Sequence, residues 1–499
     1  MVFTSFEFLL FFLPIVVIIC YILARFSHKS VIYFLIASSL FFYSSWNPKY
    51  LYLLLGSVLF NFTVGKILCI IPKNYGKTSY YVCFCGVISN IILLGYFKYT
   101  NFFVDSFNFI FSQSYLVEKI VLPLAISFFT FQQIAWLIDQ YRKEAPRSSF
   151  SDYCCAVTFF PHLIAGPIVQ YHDLIPQIQS KSIFKPNWDN ICNALFLIAI
   201  GTFKKIVIAD SLAVYATLTF DSTQPLNALS AWFGLASYTM QIYFDFSGYC
   251  DIALGSALLI GIKLPINFDN PYRSKSIREF WKKWHITLGY FLAKYVYQPM
   301  GGSRKGTVRT CVNLLIVMLI SGFWHGAGIC FILWGLIHGI GLVINRIFNI
   351  CGGKINNKIV SVLLTFVFTS LAWVVFRCNT FDSAMNYFHS LFSINITDSW
   401  SIPHFFSYII PDSWGIRYFS LQNYLGLSNR KDMFMLVCYL TVAFFIAFLC
   451  PRAQILYDKL IVPSKWYSLP IMLIAAVLLL CAFLKMVYIP YTEFIYFNF

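Results

Sequence analysis

Long apolar stretches recur along this chain, each close to the about 20 residues that a helix needs to cross a bilayer. They fall near residues 8–24, 31–46, 50–71, 80–97, 119–138, 190–218, 228–246, 310–348, 358–376, 433–450 and 468–489. The stretch 310–348 is long enough for two helices, which we expect to be hinged around Ser321–Gly328. By this length rule the sequence predicts roughly 11–13 transmembrane helices. The alternation typical of a membrane barrel is missing from these stretches, so strands are not expected.

Composition supports a membrane protein, because 59% of the residues are hydrophobic and only 11% are charged. A soluble chain has about 45–50% apolar and about 25% charged residues. We therefore predict an all-α, polytopic membrane protein with one domain over residues 1–499. The first stretch is expected to remain as a helix, because Glu7 precedes it and no small-residue cleavage site follows. Arg25 and Lys29 come after it, which predicts that Met1 lies outside the cell.

The net charge of +16 is concentrated in short connectors, which favours a topology signal over a nucleic-acid surface. Residues 263–309 contain ten basic residues interleaved with aromatic ones. This pattern predicts helices that lie at, or dip into, the cytoplasmic interface. Residues 390–432 are poorer in basic residues and are predicted to form an extracytoplasmic loop.

The fifteen cysteines do not predict a disulfide framework or a metal site. Many lie in or beside apolar stretches, where cysteine behaves as a small hydrophobe. The only close pairs, Cys83/Cys85 and Cys154/Cys155, lack the spacing of a zinc or redox motif. We expect no metal and no bound cofactor.

The clearest candidate for chemistry is His325, which lies within Ser321-Gly-Phe-Trp-His-Gly-Ala327 in a long apolar stretch. Its glycine neighbours allow a helix to break, and Trp324 offers a wall. A neutral histidine in such a place can accept a proton. A buried histidine hydrogen-bonded between helices is the alternative.

Four other polar groups interrupt apolar or aromatic segments. His285, in Lys283-Trp-His-Ile286, is a second catalytic candidate or an interfacial histidine. Asp245 could orient a histidine or pair with a cation, and both interpretations stay open. His162 lies between Pro161 and Pro167 in a segment that suggests a broken or re-entrant helix. His338 is interpreted as a packing residue.

Known nucleophile and nucleotide motifs are missing: the sequence has no Gly-x-Ser-x-Gly elbow, no P-loop and no His-Glu-x-x-His helix. The turn Gly301-Gly-Ser-Arg-Lys-Gly306 combines backbone amides with cations, which suits phosphate.

Taken in order, these segments resemble the bacterial branch of the membrane-bound O-acyltransferase family, which includes alginate and peptidoglycan O-acetylation proteins and teichoic acid D-alanyl transfer proteins. The resembling segments are 1–8, 159–171, 243–251, 267–306 and 313–341. The resemblance puts the catalytic histidine of the family on His325 and its second histidine on His285. His162 stands where relatives often have glutamine. The resemblance implies helices around a central tunnel, an acyl thioester from the cytoplasm, and an extracytoplasmic esterase-like acetyltransferase as partner.

The expected activity is O-acetylation of a cell-surface polysaccharide such as an alginate-like exopolysaccharide or peptidoglycan, at the bacterial inner membrane. Acetyl-CoA is the expected donor. Its phosphates are expected at a set of five cations in the basic segment, namely Arg273, Lys282, Lys283, Arg304 and Lys305. Asp245, Trp324 and Asn313 are expected to support the two histidines. Transfer of D-alanyl or another acyl group, a transporter or flippase, and a non-enzymatic scaffold are the alternatives, although no inverted repeat favours a transporter.

Overall fold

The protein is a bundle of helices. Its structure is a computed structural model that describes residues 1–72, 75–115, 118, 120–164, 166–181, 183–222, 226–393, 402–403, 418–419, 430–453, 468–488 and 494–495. The first eleven α-helices are α1 (Leu13–Ala24), α2 (His28–Ser44), α3 (Leu51–Ile70), α4 (Gly76–Phe111), α5 (Ile126–Arg142), α6 (Phe150–Thr158), α7 (Phe160–Leu163), α8 (Tyr171–Gln179), α9 (Trp188–Thr202), α10 (Asp210–Phe220) and α11 (Ala228–Leu259).

The second half of the chain continues in the same manner. Its helices are α12 (Ile277–Lys283), α13 (Ile286–Leu292), α14 (Gly306–His325), α15 (Ile329–Ile350), α16 (Lys358–Arg377), α17 (Phe381–Phe392), α18 (Arg430–Leu449) and α19 (Ser468–Tyr488). Shorter π- and 3-10 segments extend several of them, at Glu7–Phe12, Pro48–Tyr50, Phe203–Ala209, Pro271–Arg273 and Ala293–Tyr297. Two two-residue strands, Ile402–Pro403 and Tyr418–Phe419, pair in parallel.

Eight helices of the described residues are long and apolar enough to cross a membrane. They are Glu7–Ala24, Pro48–Ile70, Gly76–Phe111, Trp188–Phe220, Gly306–His325, Ile329–Ile350, Lys358–Arg377 and Leu469–Tyr488. The other predicted apolar stretches contain α2, α5, α11 and α18, which are shorter or more polar. Most residues of α5 and α11 are buried, so these two helices mainly face protein and need little apolar surface for lipid. The predicted all-helical membrane architecture is confirmed.

The centre of the bundle is α11, which packs along α9 through small residues. A Cβ atom on Gly201 would lie 2.6 Å from the carbonyl oxygen of Gly248, and one on Gly248 would lie 2.7 Å from that of Gly201. Small residues at such crossings let two backbones approach closely. Substitution at either glycine would therefore separate the two helices.

Helices α14 and α15 form a hairpin, as the sequence predicted for 310–348. The chain becomes extended at Gly326 and Gly328 between them. A Cβ atom on Gly322 would lie 2.2 Å from the carbonyl oxygen of Phe331, and one on Gly335 would lie 2.4 Å from that of Met318. The hairpin closes because these positions are glycine, and His325 is the last residue of its first helix.

The basic segment 263–309 covers one end of the bundle with short helices. Gln177, near the end of α8, donates from its side-chain amide to the Lys263 carbonyl at 3.0 Å. Lys294 pairs with Asp139 of α5 at 2.9 Å. Arg273 donates to the carbonyls of Ala447 and Cys450 at the end of α18. The ends of α5, α8 and α18 therefore meet at this surface. The cytoplasmic side of this surface stays a prediction, and the predicted loop 390–432 lies mostly outside the described residues.

The segment around His162 is a broken helix, as predicted. Helix α6 ends at Thr158, α7 spans one turn, and Gln170 before α8 is extended. Both ring nitrogens of His162 have hydrogen-bond partners: the Gln132 side-chain amide lies 3.0 Å from Nδ1, and the Ala156 carbonyl lies 2.9 Å from Nε2. We infer that His162 joins α5, α6 and α7 and has a structural role.

Candidate active site

His325 lies in the interior of the bundle, where the first arm of the α14–α15 hairpin stops. Only 3% of its surface is exposed. Its ring centroid lies 5.0 Å from that of Trp324, 5.2 Å from Trp334 and 5.4 Å from Phe376. Aromatic rings therefore cover the imidazole from several sides and keep bulk water away from it.

The structure brings His285 next to His325. The two ring centroids are 6.3 Å apart, and His285 also contacts Trp324 and Phe246. His285 sits in the left-handed backbone region, with φ +46°, directly before α13. This unusual conformation turns its side chain inward from a segment that otherwise lies at the end of the bundle.

Asn267 fixes the orientation of His285 and its tautomer. The Thr287 backbone N–H and hydroxyl donate to Asn267 Oδ1 at 3.2 and 3.0 Å, so this atom must be the amide oxygen. His285 Nδ1 lies 3.2 Å from the same oxygen and must carry the hydrogen. The Nε2 atom of His285 is then the nitrogen that can accept a proton. Burial lowers the pKa of His285 to about 3, so the ring is neutral at physiological pH.

Two residues that the sequence did not single out hold the backbone of His325. Lys98 Nζ donates to the carbonyls of Trp324 at 2.5 Å and His325 at 3.1 Å, and Tyr99 Oη donates to that of Phe323 at 2.6 Å. Both side chains come from α4. The sequence signal for Lys98 was a single lysine directly after the apolar stretch 80–97. A lysine is also expected there simply because the helix leaves the membrane, so the position did not indicate a role in the site.

Asp245 does not reach either histidine. Its carboxylate pairs with Lys205 and accepts a hydrogen bond from the Ile495 backbone N–H at 3.0 Å. Of the two predicted roles, the structure favours the ion pair. The supporting role of Asp245 stays a prediction, and any effect on the histidines would have to be indirect, because Lys205 binds the carboxylate.

The two other supporting residues lie in different places. Trp324 packs between the histidines, with ring centroids 5.0 Å from His325 and 6.0 Å from His285. Asn313 lies three turns earlier in α14, where its side-chain amide donates to the Gly302 carbonyl at 2.9 Å. Asn313 therefore holds the Gly301–Gly306 turn and does not contact the histidines.

The predicted donor cations do not form a single group. Arg273 is bound to carbonyls of α18, and Lys283 pairs with Glu279 at 2.8 Å. Both side chains have partners within the protein, and their assignment to the donor phosphates stays a prediction. Arg304 and Lys305 are exposed on the turn after Ser303. Lys282 lines a cavity among the described residues.

That cavity, here called the basic cavity, has a volume of about 700 Å³. Three cations line it, namely Arg278, Lys282 and Arg346, and its described lining residues include no acid. Its apolar wall includes Trp281 and Met318. Arg278 and Arg346 were not predicted as donor residues.

Aromatic rings connect the basic cavity with the histidines. The Trp281 ring lies 5.7 Å from Trp334, which in turn lies 5.2 Å from His325. Trp281 Nε1 also donates to His338 Nδ1 at 3.3 Å, so His338 holds one wall of the cavity. Its predicted packing role agrees with this contact. The described residues contain no cluster of metal-ligating side chains.

Comparison with known proteins agrees with this arrangement. The family model of membrane-bound O-acyltransferases matches residues 116–349, which contain both histidines and all lining residues of the basic cavity except Ile350. The chain is 44% identical to the peptidoglycan O-acetyltransferase of Helicobacter pylori over 389 residues, 72% of this chain and 73% of the relative. It is 35% identical to a probable alginate O-acetylase of Pseudomonas putida over 451 residues, 89% and 87% of the two chains. A teichoic acid D-alanyltransferase of Bacillus subtilis is 24% identical over 282 residues, 53% of this chain and 71% of the relative. The chain is therefore a multi-pass membrane enzyme that belongs to the membrane-bound O-acyltransferase family.

Proposed function

We propose that this enzyme takes an acetyl group from cytoplasmic acetyl-CoA and passes it to a hydroxyl group for O-acetylation of a cell-envelope polysaccharide, with His325 as the base. The observation that carries the proposal is the pairing of His325 with His285 in a dry aromatic site beside the basic cavity. Peptidoglycan is the first acceptor to test, because the H. pylori relative named for it has a higher identity than the alginate relatives.

The basic cavity suits a coenzyme thioester. Arg278, Lys282 and Arg346 offer cations for its phosphates, and Trp281 and Met318 offer an apolar surface for the pantetheine arm. Arginine is well suited to phosphate, because its planar group donates two hydrogen bonds at once. The thioester would then lie toward Trp281 and Trp334, on the side of the cavity that leads to His325.

The chemistry needs one base and a protected site. His325 takes the proton of the acceptor hydroxyl while its oxygen forms a bond to the thioester carbonyl carbon. The carbon–sulfur bond breaks, and the coenzyme leaves as the thiol once it receives that proton. Such a base contributes typically about 10²–10⁴-fold to the rate. His285 is neutral, with Nε2 as its acceptor nitrogen, and we assign it to receive that proton from His325 and pass it on toward the leaving thiolate. The aromatic rings limit hydrolysis of the donor.

The direction of transfer rests on charge. The surface formed by 263–309 carries ten of the 36 basic residues of the chain, and such clusters stay on the cytoplasmic side of bacterial membranes. We assign the basic cavity to that side of the inner membrane and the acceptor to the opposite side. An extracytoplasmic esterase-like acetyltransferase, which the family resemblance implies, would complete transfer to the polymer.

The test uses the purified protein in lipid vesicles with acetyl-labelled acetyl-CoA, and measures coenzyme thiol release and label on added peptidoglycan or alginate. His325→Ala is expected to lower kcat at least a hundredfold, since it removes the base. The control is His389→Ala, which alters an exposed histidine on α17 and is expected to keep wild-type activity. If His325→Ala keeps more than about a tenth of the wild-type rate, less than about 1.4 kcal/mol of the barrier was lost and His325 is not the base.

A further inference from the structure

The last carbonyl groups of α14 need hydrogen-bond donors from outside the helix, and Lys98 donates to two of them. An α-helix leaves its last four carbonyl groups without partners in the helix, and here these are the carbonyls of residues 322–325. The chain becomes extended at Gly326, with φ −161° and ψ 156°, so no further helical turn can satisfy them. This end is buried in the bundle, where unsatisfied carbonyls are costly.

Helix α4 supplies the missing donors from two successive residues. Tyr99 Oη donates to the Phe323 carbonyl at 2.6 Å, and Lys98 Nζ donates to those of Trp324 and His325 at 2.5 and 3.1 Å. A third acceptor, Ser127 Oγ at the start of α5, lies 3.3 Å from Nζ. Three acceptors match the three N–H bonds of an ammonium group. We call Lys98 and Tyr99 the carbonyl clamp.

The clamp differs from an ordinary buried ion pair. Lys98 is 8% exposed, and its polar contacts among the described residues are carbonyl and hydroxyl oxygens, with no carboxylate. Its amino group instead faces the C-terminal end of α14, where hydrogen-bond donors from lysine side chains stabilise the last carbonyls of a helix. The Lys98 amine also lies 5.9 Å from the Trp324 ring, which packs against both histidines.

We propose that Lys98, assisted by Tyr99, is a positioning residue that fixes the backbone of His325 and thereby the aim of its imidazole. This inference rests on the proposed function, in which His325 is the base. The clamp acts on the three residues 323–325, beyond which two extended glycines would otherwise let the helix end fray. A shift of about 1 Å in a catalytic group can lower a rate about 10²-fold.

The experiment compares Lys98→Met and Tyr99→Phe with the wild-type protein in vesicles. Lys98→Met keeps the length of the side chain but removes all its donors, and should lower kcat about 10- to 100-fold at an unchanged donor KM. Tyr99→Phe keeps the ring that stacks on Phe323 at 4.0 Å and removes one donor, so a smaller loss of kcat is expected. Hydrogen–deuterium exchange of the segment 322–329 should become faster in both variants, while α9 and α11 stay protected.

Several outcomes overturn the proposal. Wild-type kcat in Lys98→Met does so, as does a lower kcat without faster exchange at 322–329. If Lys98→Met fails to fold, Tyr99→Phe decides alone, and faster exchange throughout that variant would assign the clamp to folding only. Exchange needs no donor, so it judges the clamp even if His325→Ala remains active. That last result would instead overturn the proposed function.

Discussion

Three lysine side chains are buried among the described residues, and the pair Lys204 and Lys205 has different partners from the single Lys98. Lys204 and Lys205 lie at the π-helical segment after α9, where Lys204 pairs with Asp251 at 2.6 Å and Lys205 with Asp210 at 2.8 Å and with Asp245. Lys98 lies beside the α14–α15 hairpin and donates to backbone carbonyls. The first group joins α10 and α11 to the end of α9, while Lys98 orders the end of a single helix.

This difference separates residues that hold the bundle together from residues that aim the catalytic groups. In a buried ion pair each charge is compensated by the opposite charge of its partner, so the loss of one partner removes that compensation in the interior. Loss of Lys98 leaves polar carbonyl groups, which are less costly than an unpaired carboxylate. We therefore expect substitutions in the first group to affect folding and substitutions near the second to affect kcat.

The largest expected effect is on stability. Lys204→Met leaves the Asp251 carboxylate buried, so the free energy of unfolding should fall by about 3–5 kcal/mol. The double variant Lys204→Met/Asp251→Leu removes both charges and should recover most of that loss. Titration of the purified protein with a denaturing detergent measures both values. A single variant as stable as the wild type would show that the pair contributes no stability and would remove the first half of the comparison.

The second prediction concerns Asn267, which holds His285 as Lys98 holds His325. Asn267→Ala removes the oxygen that fixes the tautomer and should lower kcat about 10- to 100-fold, a part of what a proton-handling group contributes. Donor KM should not change, because the basic cavity is untouched. Cys250→Ala is the control: it removes only the weak contact between Cys250 Sγ and the Asn267 side-chain amide at 3.5 Å, and should keep wild-type kcat. A normal kcat in Asn267→Ala would mean that His285 needs no orienting partner.

Sequence alone predicted the elements of this site better than the contacts between them. The α14–α15 break follows from Gly326 and Gly328, whose backbone freedom is visible in the sequence. The role of Lys98 was not predictable, because its partners are backbone carbonyls more than 220 residues away, which no side-chain pattern records. The partner of Asp245 was equally hidden, since many cations were available. The contacts of Arg273 were hidden for the same reason, because the carbonyl groups to which it donates lie at the end of α18.

Cations that are candidates for binding the donor phosphates form a third class, beside the ion-paired lysines and Lys98. Arg346 lines the basic cavity from α15, whereas Arg304 and Lys305 are exposed on the Gly301–Gly306 turn. If all three bind donor phosphates, none should affect stability or kcat at saturating donor. A handle remote from the reacting atoms binds ground and transition states equally and changes KM alone. The increase in KM should be larger for the partly buried Arg346 than for the exposed Arg304 and Lys305.

The smallest effect is expected at the exposed turn. Arg346→Ala should raise donor KM about tenfold or more, since a hydrogen bond to a charged group is worth about 1.5–3 kcal/mol. The double variant Arg304→Ala/Lys305→Ala should raise it less than about fivefold, because an exposed ion pair is worth about 0.2–1 kcal/mol. High salt should erase the effect of the double variant first, because the Debye length is only about 8 Å at physiological ionic strength. Steady-state kinetics at two salt concentrations, with Arg309→Ala as the exposed control outside the cavity, measures these differences. An unchanged KM in Arg346→Ala would show that the donor phosphates do not bind in the basic cavity. An unchanged KM in the double variant would show that Arg304 and Lys305 do not bind the donor, and would assign them to orienting the chain in the membrane.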